Sequence, residues 1–189
     1  GKIIKIIAER ESKKEKNVNR FKKIDWNKLE FPKGDDIDSV IKGMYMLVPR
    51  RVTDYAFMTY DGDDTDTDKN HYKDGKFIFN NYKTVGKYGR QEINVPKELN
   101  EKILRYVKKE GIKSGDALLK YSRGNEFSKQ TLMKKIKKIF GTSVDGVRHS
   151  YITHLYKDGK NLFNVEELSL RMGHDVKTHL RYLDKENKF

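Results

Sequence analysis

Arg148, His149, His174 and Tyr182 follow one another in the last quarter of a 189-residue chain. Arginine and histidine donors can hold and neutralise a phosphodiester while a tyrosine hydroxyl attacks it, so the set points to phosphoryl transfer without a metal. The hydroxyl, with a reference pKa of about 10, needs cationic surroundings to become a nucleophile. Taken singly, each residue has a plainer reading: the chain holds eleven tyrosines, and most tyrosines in a protein serve packing or surface. The rest of the chain must supply the elements that bring the four together.

The bulk composition favours a polyanionic partner. Lys plus Arg number 41 against 28 Asp plus Glu, a formal net charge of +13 and a pI near 9.6. The excess is spread over several segments, which suits a face or groove that tracks phosphates better than a detachable basic tail. Charge alone does not choose between DNA, RNA and an acidic lipid surface. Mean hydropathy is −0.89, and no apolar run approaches the roughly 18 residues that a membrane span needs, so no membrane role is expected. The start, residues 1–10, carries only a short apolar stretch broken by Lys5 and lacks a small-residue cleavage site, unlike a secretory signal. The chain has no cysteine, which excludes disulfides and thiolate zinc sites.

Residues 1–23 hold nine basic and three acidic side chains, and 1–26 reads as a basic linker or helical arm. Residues 27–189 read as one domain, with Trp26 anchoring the start of its core. Asp35 or Asp36 can cap a helix through Val40, Ile41, Met44 and Leu47 that Pro49 ends. A short helical segment from Arg51 leads to a strand near residues 57–60 and then to the acidic run 61–70, expected as a solvated hairpin loop. Strands at 77–79 and 91–95 flank a turn-rich segment. Pro96 opens a helix with Leu99, Ile103, Leu104 and Val107 on its apolar face, closed by Gly111. Ser128 caps another, with Leu132, Ile136 and Ile139 buried and Gly141 as its stop. Further short helices are expected at 147–157, 165–172 and 179–183. The fold class is therefore α+β: a mainly helical domain with a small antiparallel sheet.

Several alternative chemistries fail on spacing. Asp64, Asp66 and Asp68 match the first liganding positions of an EF-hand loop, but Lys69 stands where glycine is needed and Gly75 where a bidentate glutamate belongs. His149 and His154, and likewise His174 and His179, are five apart, whereas metal pairs on one helix need three or four. No phosphate-binding glycine loop, dinucleotide fingerprint or serine-hydrolase elbow is present. No metal and no cofactor is expected.

The run from Gly146 to Leu155 (GVRHSYITHL), followed by Arg171-Met172-Gly173-His174 and then Tyr182, resembles the C-terminal signature of the tyrosine recombinase (phage integrase) family. Upstream, Pro49-Arg50-Arg51-Val52-Thr53-Asp54-Tyr55 resembles the family's first box, with Arg51 preferred over Arg50 because Asp54 then occupies the acidic position. Tyr82-Lys83-Thr84 lies where family members place a catalytic lysine. These elements occur in the family's order and cover roughly residues 45–185. The resemblance implies a catalytic domain that cleaves one DNA strand through a 3′-phosphotyrosyl intermediate, releasing a 5′-hydroxyl. Tyr182 would be the nucleophile, and Arg51 and Arg148 would bind the non-bridging oxygens and stabilise the transition state. Lys83 would protonate the leaving oxygen, His174 would hydrogen-bond the phosphate, and His149 would support the site beside Arg148. It further implies double-stranded DNA as partner, a homo-tetramer on DNA in the intact protein, and integration or excision of a viral or mobile element. This chain, without room in residues 1–26 for a core-binding domain, reads as a catalytic fragment, itself monomeric.

Two departures stand out. Asp145 lies where the family usually carries histidine or lysine, three residues before Arg148, and an ionised carboxylate cannot donate a proton there. The interval from His174 to Tyr182 is one residue shorter than the commonest family spacing. Two other functions stay open: a type IB topoisomerase, with the same chemistry but acting as a monomer, and a DNA-binding protein whose catalytic site has weakened.

Overall fold

The computed structural model describes residues 24–121, 127–157 and 165–184, the last three of these by backbone alone. The expected basic arm lies, as far as residue 23, outside the described residues. Trp26 sits in a short 3-10 turn, Trp26–Lys28, capped by the Asp25 side chain. Its ring meets Tyr151 edge-on at 5.6 Å and stacks on His154 at 5.9 Å.

Helices begin and end where local chemistry dictates. The Asp36 carboxylate accepts from the Ser39 amide at 2.7 Å and starts α1 (Ile37–Leu47), which stops two residues before Pro49. Arg51 precedes the single turn α2 (Val52–Tyr55). A second single turn, α3 (Val85–Tyr88), lies within the 80–90 connection. Pro96 leads into α4 (Lys97–Glu110), ended by Gly111 in the left-handed conformation. Ser128 caps α5 (Lys129–Phe140) through the Thr131 amide, and Gly141 ends it. Then come α6 (Val144–Lys157), α7 (Val165–Arg171) and α8 (Val176–Asp184).

The sheet has four strands in spatial order β1 (Thr59–Tyr60), β2 (His71–Lys73), β3 (Lys76–Phe79), β4 (Gln91–Asn94). Strands β2, β3 and β4 pair antiparallel, with Phe77 opposite Ile93 and Tyr72 opposite Phe77. β1 joins in parallel, with Thr59 opposite His71. This corrects the reading of 61–70 as a hairpin loop, since parallel neighbours require a crossover. The run is also tied inward. Asp64 pairs with Lys73 and Arg90, His71 Nε2 lies 3.0 Å from the Asp66 carbonyl, and the Asn80 amide donates to the carbonyls of Asp64, Asp66 and Lys69.

The main core lies between this sheet and helices α1, α4 and α5, around Met44, Tyr45, Tyr55, Phe77, Phe79, Leu99, Ile103, Leu132 and Ile136. Leu104, expected on the buried face of α4, is instead 45% exposed. A smaller cluster, Tyr151, Ile152, Leu168 and Met172, joins α6 to α7. The result is α+β, mainly helical with one small mixed sheet. Among the described residues no helix is long and apolar enough to cross a membrane.

Candidate active site

The site is built on the C-terminal end of α7. A helix end leaves carbonyls without intrahelical donors and a partial negative charge, both of which cations relieve. Here three arginines do so. Arg50 Nη1 donates to the carbonyls of Leu170 (3.1 Å) and Arg171 (3.2 Å). Arg148 Nη2 donates to that of Met172 at 2.9 Å, and Arg51 Nη1 to that of Gly173. Arg51 arrives from 122 positions upstream, so the fold joins the two halves of the chain at residues 170–174.

Arg50 is fully buried. Its Nε meets Asp54 Oδ2 at 2.8 Å, Nη1 also reaches Gln91 at 2.9 Å, and its guanidinium lies 3.9 Å from the centre of the Phe79 ring. Asp54 therefore pairs with Arg50, while Arg51 stays partly exposed at the α7 end. Gly173, with φ +71, is packed so closely that an added Cβ would stand 2.5 Å from Arg50 Cζ. The glycine thus serves both the turn and the approach of the arginine.

His174 is buried against Arg148, whose Nη2 lies 3.2 Å from its Nδ1. Since arginine only donates, Nδ1 accepts. The other nitrogen, Nε2, lies 2.9 Å from His179 Nδ1, and His179 Nε2 lies 3.1 Å from the Tyr156 hydroxyl. Burial, first, and then the charges of Arg148 and its neighbours hold the His174 imidazole far below the usual histidine range. Burial brings His179 down to about 4. Both rings are neutral at pH 7. The phosphate contact expected of His174 is not available in this arrangement without a change of partners, because both ring nitrogens already bond within the protein.

The other candidates are distributed around this end. Lys83 is exposed in the turn before α3. Its neighbours fix that turn: the Tyr82 hydroxyl donates to Gly89 at 2.6 Å, and Thr84 Oγ1 reaches the Gly173 carbonyl at 3.5 Å. Lys87, one turn further, interacts electrostatically with Asp175, next to His174. His149 follows Arg148 on α6, half-buried. Tyr182 stands on α8, three residues after His179. Asp145 is exposed in the first turn of α6, where a carboxylate stabilises the helix dipole. That gives the departure at this position a local structural reason.

Six of the other tyrosines are poor nucleophiles. Burial pushes Tyr72 and Tyr106 up to about 12, raises Tyr45 and Tyr55 further, and also lifts Tyr82 and Tyr151. Sequence reasoning missed Arg50, His179 and Tyr156. Arg50 stands beside the better motif match, Arg51, and the spacing of His179 from His174 bears only on metal binding. Tyr156 carries no local signal.

No family model matches the chain, and no curated protein matches its sequence. Among solved structures, the crystal structure of XerA recombinase is similar, with a TM-score of 0.57 and 14% identity over 77% of this chain. This chain spans about half the length of that protein, 51%. The fold is thus similar to that of a tyrosine recombinase catalytic domain.

Proposed function

We propose that this chain is the catalytic domain of a DNA recombinase that cleaves and rejoins strands through a 3′-phosphotyrosyl intermediate. The observation that carries the reading is the meeting of Arg51 and Arg148 at residues 172–174, immediately before the helix that bears Tyr182. Two guanidinium groups from distant parts of the chain supply planar donors for one phosphate, which is what a pentavalent phosphorane-like transition state needs. In this scheme the Tyr182 hydroxyl gives up its proton to solvent, its oxygen bonds to the phosphorus, and the bond to the 5′-oxygen breaks. Lys83, on the pinned turn, gives that oxygen its proton, His149 supports the phosphate, and His174 acts through its bond to Arg148. A 5′-hydroxyl from either strand then displaces Tyr182, so ATP is not consumed. The net charge of +13 suits a polyanion bound through counterion release, and in this scheme that polyanion is double-stranded DNA. The intact protein would act as a homo-tetramer on two sites, for integration or excision of a viral or mobile element.

The test is incubation of the protein with nicked duplex DNA in EDTA, followed by denaturing electrophoresis. A slow-migrating protein–DNA band that is absent in Tyr182→Phe supports the enzyme. A band requiring a divalent metal would refute the scheme. The engagement of both His174 nitrogens and the presence of Asp145 favour one rival, a DNA-binding protein with a weakened site. It predicts salt-sensitive binding and no band in either protein.

A further inference from the structure

The chain Arg148, His174, His179, Tyr156 has one consistent proton assignment. Arg148 can only donate, so His174 Nδ1 accepts. A neutral His174 then carries its proton on Nε2 and donates it to His179 Nδ1 at 2.9 Å. His179 must in turn carry its proton on Nε2 and donate to the Tyr156 oxygen at 3.1 Å. Every link runs in one direction, outward from the arginine. The two histidine rings meet edge-on at 5.2 Å and both are at most 1% exposed, so the pair is shielded from water and the ordering is not scrambled by solvent. The groups facing it are Arg148 and Tyr156 from α6, Arg50 and Arg51 from the segment before α2, and Asp175 next to His174.

We propose that His179, backed by Tyr156, is a positioning residue: it locks His174 in the Nε2–H tautomer against Arg148 and ties the Tyr182-bearing helix to the arginine site. This rests on the recombinase reading for its link to catalysis. The mechanical argument is direct. α8 has nine residues, its start is capped by the Asp175 side chain accepting from the Thr178 amide at 2.7 Å, and His179 lies between that cap and Tyr182. A side-chain bond in the middle of so short a helix sets how far the helix can turn or slide relative to α6. Displacing a reacting group by about 1 Å costs on the order of a hundredfold in rate, so a residue that touches no substrate can still govern the step. The same chain explains why a histidine is needed at 179 and not another buried residue. The position must accept from one ring nitrogen on one side and donate to a phenol oxygen on the other, while itself carrying no charge near the arginines.

Two measurements test this. In the first, nitrogen-15 spectra of the histidine rings of the whole chain at pH 7 report which ring atom carries each proton. The expected result is neutral His174 and His179, each protonated at Nε2. A His174 protonated at Nδ1, or charged, would overturn the proposal. In the second, the rate of adduct formation on nicked duplex DNA is compared for the wild type, His179→Leu and His179→Asn. The leucine variant fills the space without either bond and should lose about a hundredfold. Asparagine keeps an acceptor where Nδ1 stood and should recover much of that loss. Equal rates for leucine and wild type would overturn the proposal, as would a leucine and an asparagine variant equally impaired. If the wild type itself gives no adduct, the recombinase reading fails, and the spectra still decide the hydrogen-bond order on their own. Should the leucine variant not fold, the spectra and the asparagine variant carry the test.

Discussion

Replacing Gly173 by alanine perturbs the junction on which the site is built, and its cost can be worked out in two parts. The backbone sits at φ +71, where an L side chain costs about 1–2 kcal/mol. The new methyl would also stand 2.5, 2.6 and 2.8 Å from Arg50 Cζ, Nη2 and Nη1, well inside ordinary contact. Arg50 has little room to retreat. Asp54 holds its Nε, the carbonyls of Leu170 and Arg171 hold Nη1, and Phe79 lies under its guanidinium. Overpacking of this kind costs typically about 1–3 kcal/mol, so Gly173→Ala should lose roughly 2–5 kcal/mol in all. Gly111→Ala separates the two parts, because Gly111 has φ +63 and open space where its Cβ would go. It should lose only about 1–2 kcal/mol. Urea denaturation with a shared m value reads both. Equal losses in the two variants would refute the argument that Gly173 is required by Arg50.

Arg50→Met should destabilise the chain by about 3–5 kcal/mol, because it strands the fully buried Asp54 carboxylate; denaturant midpoints check this, and a loss under about 1 kcal/mol contradicts the role assigned to the pair. Acid should weaken the fold well above the carboxylate range. His179 is lowered to about 4 and His174 lies lower still, so the native state binds fewer protons than the unfolded chain. Their contribution is complete above the unfolded value of about 6.5; that of His179, roughly 3 kcal/mol, is lost as pH falls to about 4, and that of His174 goes on falling below it. Stability measured from pH 7.5 to 4.5 should fall steadily, and a flat profile would show that the pair is not buried neutral.

What the sequence revealed follows from how local each feature is. Asp36, Ser128, Gly111 and Gly141 mark helix ends through contacts within three or four residues, and each ends or starts a helix where its chemistry requires. Strand β1 was legible as a strand but not as a parallel one, because its pairing with His71 and Tyr72 is fixed by the crossover and not by the residues of the strand. The reading of His174 and His179 assumed one helix, on which residues five apart face different ways. The turn at 172–174 breaks that assumption, since His174 precedes α8 and can fold back onto its second turn. Arg50 and Arg51 are adjacent in the motif yet do different things: one is sealed inside against Asp54 and the other reaches the α7 end from the surface. Neither burial nor direction is encoded in a two-residue motif. The order of Arg51, Arg148, His174 and Tyr182 was readable. The route by which His179 links the last two was not, because it depends on Tyr156 from another helix.

The most direct measurement is the chemical identity of the residue joined to DNA. Adduct formed on nicked duplex in EDTA is digested with nuclease and trypsin, and the linked peptide is sequenced by mass spectrometry. Cleavage after Arg181 and Lys185 isolates residues 182–185, which contain a single tyrosine. A 3′-phosphonucleotide on that tyrosine is the predicted result. Attachment to any other residue, or no covalent peptide from a folded protein that binds the same DNA, would contradict it.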